Sequence, residues 1–305
     1  MGKFLMGRQN LSHNFLPTSR TVAAEARIEM LLELGWQADY CKALPVLGPP
    51  GTGKTLFVKE YARLFEAKHG QKLRALYIEV PSNTSTNGLA TELLNKLGDA
   101  APTHGIETEK VGRIIRHMQG RYDLLYLDEF QRLIDRKTDF VDKKAAGLVA
   151  TLLNKTLCPI ILAGEVESER VFGINEHFED RTFAPVFMTP FDWGLKADRK
   201  EYCLLLAALE HLVGMPQPSD LHETDPAIRI YAFSRGKWRR TAVLVDLAAY
   251  HARKAGCPSI QLEHFAQAAD EIAVGAKRKL PNPFRLTDPL AGKPAPMSAL
   301  DGEDE

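Results

Sequence analysis

One eight-residue segment constrains the fold of this chain more than any other feature. Residues 48–55 read Gly-Pro-Pro-Gly-Thr-Gly-Lys-Thr and satisfy the pattern G-x-x-x-x-G-K-[ST]. They follow an apolar run typical of a strand, Ala43–Leu47, and open the helical pattern of Lys54–His69. In that context the glycines let backbone N–H groups surround an anion, and the helix N-terminus adds partial positive charge. The segment therefore predicts a phosphate-binding loop in an α/β protein.

The ligand predicted for this loop is ATP with Mg²⁺. Lys54 is expected to neutralise the β- and γ-phosphates, and Thr55 to offer its hydroxyl oxygen to the metal. The alternative is a glycine turn ahead of a surface helix. The residues predicted to bind the nucleotide here are Gly48, Pro49, Pro50, Gly51, Thr52, Gly53, Lys54 and Thr55.

A second motif places two acids at the end of an apolar strand. The run Leu124–Leu127 is followed by Asp128 and Glu129. Asp128 suits a residue that holds Mg²⁺ directly or through water. Glu129 is the candidate general base for a water that attacks the γ-phosphate. The alternative is a strand that ends at a solvated turn, but the preceding phosphate loop favours a nucleotide-hydrolysing site.

Strand-like and helix-like segments alternate up to Met188, and only helical patterns follow Pro190. Strands joined by crossover helices form a parallel sheet covered on both faces, and a helical block after it indicates a second, all-helical domain. The predicted strands are Ala43–Leu47, Leu73–Val80, Tyr122–Leu127, Pro159–Ala163 and Pro185–Met188; the predicted helices are Thr21–Leu34, Lys54–His69, Gly88–Leu97, Thr108–Met118, Lys144–Leu153, Ala197–Val213, Asp225–Ser234, Trp238–Lys254 and Gln261–Lys277.

Four regions are expected along the chain. An N-terminal segment with an amphipathic helix covers residues 1–40, and the α/β core covers 41–190. A helical lid follows over 191–278. The last region, 279–305, is rich in proline, ends in acidic residues, and is expected to be disordered.

Charge and composition narrow the classes of protein. The formal net charge is zero, which argues against coating nucleic acid by bulk positive charge but leaves room for a local basic stripe. The four cysteines form no CxxC pair, so neither a zinc site nor a disulfide framework is expected. Without a membrane-length apolar stretch or a secretory apolar region, no membrane association and a cytoplasmic location are expected.

Two groups of arginines could complete a nucleotide site. Arg181 precedes the fifth predicted strand and is favoured over Arg170 to reach a neighbouring subunit's nucleotide; surface ion pairing is the alternative. Arg239 and Arg240 follow a glycine at the start of a helix and could place a cation on the γ-phosphate. The alternative there is a basic helix start with Trp238 packed in the core.

Taken together, these motifs resemble an AAA+ ATPase. The resemblance rests on GPPGTGKT, LLYLDEF, the arginine before the fifth strand and the G-x-x-R-R helix. Finer features, including Asp128-Glu129-Phe130-Gln131-Arg132-Leu133, resemble transposition regulators of the TniB/TnsC type and the related IstB-like helper ATPases. The implied fold is an AAA+ P-loop NTPase αβα sandwich with a five-stranded parallel sheet, followed by a small all-helical lid.

The resemblance implies a function and partners. It implies ATP-driven assembly of the protein with itself, as a hexameric ring or helical filament, on double-stranded DNA. It further implies recruitment or activation of a transposase, with a TniQ-like target-selection adaptor, and disassembly driven by hydrolysis. By position, Arg181 matches the trans-acting finger, and Arg239 or Arg240 matches sensor 2. The sensor-1 position departs from the family, because Gly164-Glu165 stands where a small polar residue is usual.

In that family, DNA-facing loops follow the second strand and precede the helix before the paired acids. Here these loops are Ser82–Asn87 and Thr103–Lys110. Their hydroxyls and amides could bond phosphate oxygens without reading sequence, and Lys110, Arg113 and Arg116 could form a basic stripe. The alternative is an ordinary capped loop and a solvated helix face. The DNA contacts predicted are Thr84, Ser85, Thr86, Asn87, Thr103, Lys110 and Arg113.

Two other functions compete with a transposition regulator. One is a helicase loader or initiator-type AAA+ ATPase. The other is a signalling P-loop NTPase that uses no DNA, although the tail after Lys277 is too short for the further sensor or repeat domain expected of that class. Glu129 and the helical lid argue against a P-loop kinase.

Overall fold

The computed structural model divides into two compact units. One unit is Pro17–Thr189, and the other combines Met1–Leu16 with Pro190–Glu305. The N-terminal segment is therefore shared between the units, since the helix predicted ahead of the core lies in the first. The residues that the structure describes are 11–38, 41–70, 73–134, 139–173, 176–274 and 281–290.

The first unit contains a five-stranded, fully parallel sheet with the strand order β2-β3-β4-β1-β5. The predicted five-stranded parallel sheet is confirmed. Strands β1, β3 and β4 are buried at every position, as expected where helices cover both faces. The strands are β1 (Ala43–Leu47), β2 (Ala75–Glu79), β3 (Leu124–Asp128), β4 (Ile160–Gly164) and β5 (Val186–Phe187).

Among the described residues of this unit, six helices accompany the sheet. The third shows how local chemistry sets the bounds: Ser85 accepts the Gly88 N–H at 3.2 Å at its start, and Gly98 ends it in the left-handed conformation. The helices are α1 (Ser19–Ala38), α2 (Lys54–Lys68), α3 (Thr86–Leu97), α4 (Glu107–Met118), α5 (Asp139–Thr156) and α6 (Glu176–Glu179).

The alternation of side chains along β3 separates two cores. Leu125 and Leu127 join a large apolar cluster with residues of α3, α4 and α5. Tyr126 points to the opposite face, where its ring lies 6.4 Å from that of Tyr61 on α2. The sheet is thus held rigidly from both sides, and its carboxyl edge carries the loops after β1, β3 and β4.

The second unit is helical. The N-terminal turn Leu11–His13 belongs to it, because the Leu11 N–H donates to Asp246 at 3.2 Å and the Leu11 side chain is buried. A second short turn, Pro283–Arg285, packs against the helices Thr224–Ser234 and Leu262–Val274. The helices of this unit are α7 (Lys196–Val213), α8 (Thr224–Ser234), α9 (Trp238–Lys254) and α10 (Leu262–Val274).

Part of the region expected to be disordered is instead packed. Arg229 donates to the carbonyls of Pro283 and Leu286 at 2.7 and 2.8 Å, and the Phe284 ring stacks on Phe265 at 5.2 Å. Proline-rich composition predicts low burial, but one aromatic ring and two carbonyls find partners on α8 and α10. The prediction is corrected for residues 281–290; residues 279–280 and 291–305 lie outside the described part of the chain.

No helix among the described residues combines the length and the apolar character needed to cross a membrane.

Candidate nucleotide site

The phosphate-loop sequence forms the turn between β1 and α2. Gly51 and Gly53 have φ values of 85° and 101°, a region that favours glycine. At Gly48 the constraint is space, because a Cβ there would stand 2.3 Å from the Met188 carbonyl oxygen. Helix α2 then begins at Lys54 without a side-chain cap, so its first N–H groups face the loop rather than a capping side chain.

The Lys54 ammonium lies inside this loop. Its Nζ donates to the carbonyls of Gly48 at 2.5 Å and Pro49 at 3.0 Å, and the residue is only 9% exposed. The Thr52 hydroxyl also donates to the Pro49 carbonyl, at 3.0 Å. The loop thus folds around a buried positive charge, the arrangement that a polyphosphate requires.

Asp128 is buried at the end of β3 and accepts two hydrogen bonds, from the Tyr77 hydroxyl at 2.8 Å and from the Glu129 N–H at 2.9 Å. These two donors and the nearby Thr55 side chain act to lower the pKa of the Asp128 carboxyl. Burial nevertheless raises the pKa of the Asp128 carboxyl above its usual range, against the opposing effect of these bonds. A buried carboxylate beside a threonine hydroxyl is a set of hard oxygen ligands that fits Mg²⁺.

Glu129 follows Asp128 in a strained backbone conformation. Its φ and ψ are 58° and 38°, the left-handed region that non-glycine residues adopt at a cost of roughly 1–2 kcal/mol. Within the described residues its carboxylate contacts both involve Oε2, which accepts from Gln131 Nε2 at 2.7 Å and lies 3.6 Å from Arg132 Nε. The side chain is 30% exposed, so water can reach the candidate base.

The residues around Glu129 were not assigned a role from the sequence. Gln131 also accepts the Glu165 N–H at 3.1 Å, and Arg132 donates to Glu79 at 3.0 Å and to the Val80 carbonyl at 2.7 Å. The sequence shows only that Gln131 and Arg132 follow the candidate base by two and three residues. Their contacts with Glu165, Glu79 and Val80 depend on β2, β3 and β4 being neighbours in the sheet.

Arg181 lies at the opposite edge of the sheet from the phosphate loop of its own subunit. Its carbonyl accepts the N–H of Ala43 at 2.8 Å. Ala43 is the first residue of β1, whereas the loop follows the last, Leu47, and a five-residue strand spans roughly 13 Å. The half-exposed Arg181 is therefore not brought together with Lys54 or Asp128.

The two candidate sensor-2 arginines differ in environment within the helical unit. Arg239 is exposed, whereas Arg240 is half-buried. Burial, and next the charge of Arg235, lower the pKa of Arg240. The preceding turn is held firmly, because Gly236 accepts the Phe191 N–H at 3.1 Å.

The two predicted DNA-facing segments lie next to each other, since α3 packs on α4. Ser85, Asn87 and Thr103 are exposed, and Thr84 is half-exposed. Arg113 is partly used within the protein, donating to the His104 carbonyl at 2.7 Å and lying 3.7 Å from Asp99. Arg116 is exposed and, with His104 and Arg113, lines a surface cavity of about 500 Å³.

Two predicted DNA contacts need correction. Thr86 is 5% exposed, and its hydroxyl donates to Glu107 at 2.7 Å. Lys110 is 4% exposed, and its ammonium donates to Asn87 at 3.0 Å and Thr91 at 2.9 Å. Both side chains join α3 to α4, so they are not placed to donate to a phosphate, and the basic stripe reduces to Arg113 and Arg116.

Lys110→Ala is expected to destabilise the protein by about 2 kcal/mol, because it removes two hydrogen bonds and the packing of the side-chain stem. The free energy of unfolding in urea measures this effect. The matched control is Lys96→Ala on α3, an exposed lysine whose loss should cost less than about 0.5 kcal/mol. If Lys110→Ala left the stability unchanged but weakened DNA binding, Lys110 would be a DNA contact and not a structural residue.

Comparisons with known proteins agree with this architecture. Residues 38–172 match the family model described as an AAA domain. No curated protein sequence is significantly similar to the chain. Among solved structures, the Orc1 protein of Aeropyrum pernix in complex with DNA has 18% identity and a TM-score of 0.62, over 89% of this chain and 71% of that one.

Two further structures extend the likeness. Cdc6p of Pyrobaculum aerophilum has 16% identity and a TM-score of 0.65, over 90% of this chain and 75% of that one. Domain III of the replication initiation protein DnaA of Thermotoga maritima has 16% identity and a TM-score of 0.53, over 86% of this chain and 95% of that one. The predicted fold class is thereby confirmed: an AAA+ P-loop NTPase fold with a helical C-terminal part.

Proposed function

We propose that this protein is an ATP-hydrolysing, DNA-binding AAA+ regulator of DNA transposition. It assembles on target DNA with ATP, recruits or activates a transposase, and disassembles on hydrolysis. The observation that carries the ATPase part is a pair of buried charged residues at the carboxyl end of the sheet: Lys54, followed by Thr55 in the phosphate loop, and Asp128, followed by Glu129 at the end of β3. That grouping contains both Mg²⁺ ligands and a candidate base.

Each residue of the site has a distinct part in this proposal. The loop N–H groups hold the phosphate oxygens, and Lys54 neutralises the β- and γ-phosphates. Thr55 and Asp128 would hold Mg²⁺, which supplies further neutralisation of phosphate charge when bound. Glu129 accepts the proton of the attacking water. The raised pKa of Asp128 indicates a carboxylate whose charge a cation would stabilise.

Arg181 and Arg240 complete the site in this proposal. Because the Arg181 backbone lies at the far edge of its own sheet, Arg181 would act on a neighbouring subunit's nucleotide, which requires self-assembly as a ring or filament. Arg240 is preferred to Arg239 as sensor 2, since a half-buried arginine beside Arg235 gains more from an anion than an exposed one does. Nucleotide bound between subunits then stabilises the assembly by mass action.

DNA is the proposed polymer on which the protein assembles. Exposed Ser85, Asn87 and Thr103 suit sequence-independent contacts to phosphate oxygens, and Arg116 supplies an exposed cation beside them. The run Asp128–Leu133 supports the transposition assignment through its resemblance to TniB/TnsC-type regulators, for which a transposase and a TniQ-like adaptor are the partners. A zero net charge is compatible with this proposal, because phosphate neutralisation is local.

A second function, an initiator or helicase-loader ATPase, is favoured by a specific observation. The similar solved structures include Orc1 bound to DNA and DnaA domain III, and these matches extend through the helical unit. Both candidates share the nucleotide site and DNA assembly, and they differ in the protein recruited. Stimulation of a DDE-type transposase by the ATP-bound assembly supports the first, and loading of a hexameric helicase supports the second.

Electron microscopy of the purified protein on duplex DNA tests the shared part. Rings or filaments are expected with ATP or a non-hydrolysable analogue and not with ADP. Lys54→Ala should abolish assembly both with ATP and with the analogue, because it removes the cation on the β- and γ-phosphates. The absence of any nucleotide-dependent assembly on DNA would contradict both candidates and leave only an ATPase.

Arg116→Ala tests the DNA surface. Losing one phosphate contact should weaken DNA binding uniformly across sequences and reduce the salt slope of the affinity by about 1. The matched control is Arg63→Ala, an exposed α2 arginine paired with Glu60 at 2.7 Å, which should leave the slope unchanged. Equal changes in the salt slope for the two variants would show that the DNA-binding surface does not include Arg116 on α4.

A further inference from the structure

Gln131 is the side chain that joins the candidate base to the neighbouring strand. Its Nε2 donates to Glu129 Oε2 at 2.7 Å, while its Oε1 accepts the Glu165 N–H at 3.1 Å. Glu129 follows β3 and Glu165 follows β4, so a single amide spans the carboxyl ends of two adjacent strands.

The chemistry of the two partners decides the orientation of this amide. An ionised carboxylate only accepts, and a backbone N–H only donates. A flipped amide would set its oxygen against the carboxylate of Glu129 and its NH₂ against the N–H of Glu165. Glutamine therefore satisfies both partners at once, whereas glutamate at 131 lacks the donor and methionine lacks both groups.

The end of β4 is shaped to admit the amide. A Cβ at Gly164 would stand 3.1 Å from Gln131 Oε1 and 3.0 Å from Ser168 Oγ, which is tighter than ordinary packing. A side chain at position 164 would therefore displace the amide. The Gln131 amide, which comes from the neighbouring loop, thus occupies the space beside Gly164 at this end of the sheet.

The base itself needs such support. Glu129 has a left-handed backbone, which persists only where surrounding contacts determine it. Among the described residues, Gln131 and Arg132 both contact Oε2 of its carboxylate. Both contacts are made by Oε2, so Oε1 is the oxygen available to accept a proton from water.

We infer that Gln131 is a positioning residue for ATP hydrolysis, whose amide fixes the Glu129 carboxylate against the end of β4. The inference rests on the proposed ATPase function and adds a residue and a role to it. In this role Gln131 acts through Glu129, and not directly on the nucleotide or the water. Its effect is on the orientation of the base and should appear in kcat and not in nucleotide affinity.

Two substitutions separate this role from simple packing. Gln131→Glu keeps an acceptor for the Glu165 N–H but loses the donor to Glu129, and Gln131→Met keeps the length but loses both bonds. Both should lower kcat roughly 10- to 100-fold, as expected for a misplaced catalytic group. The Kd for ATP should stay within about twofold, because loss of an interaction made only in the transition state leaves ground-state binding unchanged. The matched control is Gln119→Glu, which removes the hydrogen bond of 2.7 Å that the Gln119 side-chain amide donates to the Lys155 carbonyl. This control should leave both kcat and the Kd for ATP unchanged.

A merely structural role gives a different pattern. Gln131→Glu would then retain the wild-type kcat, since it keeps the bond to β4, and this result would overturn the inference. Crystal structures of both variants provide a readout independent of turnover: the Glu129 carboxylate should move by about 1 Å or more once its donor is lost. An unmoved carboxylate would also refute the role. A wild-type protein that does not hydrolyse ATP would refute the proposed function and with it the catalytic role of Gln131, even if the crystal structures showed that Gln131 orients the Glu129 carboxylate.

Discussion

Glu129→Gln is expected to abolish ATP turnover, lowering kcat roughly 100- to 10,000-fold, while ATP binding persists. The substitution keeps the size of the side chain and removes the group that takes the proton from water. Phosphate contacts from Lys54 and the loop are untouched, because Glu129 lies on the segment after β3. Steady-state hydrolysis and ATP affinity, measured on the same preparation, separate these two effects.

The matched control for this variant is Glu66→Gln, an exposed glutamate on α2. It makes the same change of charge and should leave both kcat and affinity at the wild-type values. In the proposed mechanism, Glu129→Gln should also hold the protein on DNA in ATP, because assembly then continues without the hydrolysis that reverses it. Unchanged hydrolysis would show that Glu129 is not the base.

The second large effect is expected at Gly236 in the helical unit. A Cβ there would lie 2.1 Å from the Phe191 carbonyl oxygen and 2.8 Å from its nitrogen, and both are backbone atoms that cannot rotate away. Its φ is 67°, which adds the cost of a left-handed alanine. Gly236→Ala should therefore destabilise the helical unit by about 3 kcal/mol or more.

Gly256→Ala isolates the contribution of the clash. Gly256 has nearly the same φ, 72°, but nothing lies within 4 Å of its added Cβ. Gly256→Ala should lower the free energy of unfolding by only roughly 1–2 kcal/mol, the cost of placing alanine in the left-handed conformation. Thermal and urea unfolding followed by circular dichroism measure both variants, and equal losses of stability would mean that the turn at Gly236 relaxes away from Phe191.

The candidate nucleotide site could be proposed from the sequence because its determinants are contiguous. The loop from Gly48 to Thr55 carries its own turn glycines, cation and hydroxyl, and Asp128–Glu129 ends an apolar run long enough to be a buried strand. Strand ends differed by one or two residues in β2 to β5, where the ends of the hydrogen-bonded ladder, and not hydrophobicity, decide them. Strand β5, for instance, has only two paired residues.

The burial of Lys110 was not predicted, because a helical period has two interpretations. Lys110, Arg113 and Arg116 recur every three residues, which suggested a single basic face. Lys110, however, also lies four and eight residues before Ile114 and Met118, and all three are buried. The i+4 spacing follows the side of α4 that packs on α3, so the long stem of Lys110 is enclosed while its ammonium finds oxygen partners.

The sequence by itself determined the phosphate loop, the acidic strand end and the parallel α/β core, since each follows from local patterns that backbone geometry translates directly. Tertiary structure decided the rest. The strand order places β3 beside β4, and only that adjacency lets the Gln131 amide reach Glu165. Tertiary packing also places the Arg181 backbone away from its own phosphate loop. In the helical unit, packing brings the carbonyls of Pro283 and Leu286 to Arg229. The physical reason is common to all three, because hydrogen bonds between residues distant in sequence depend on which elements pack together, and residue spacing alone does not encode that arrangement.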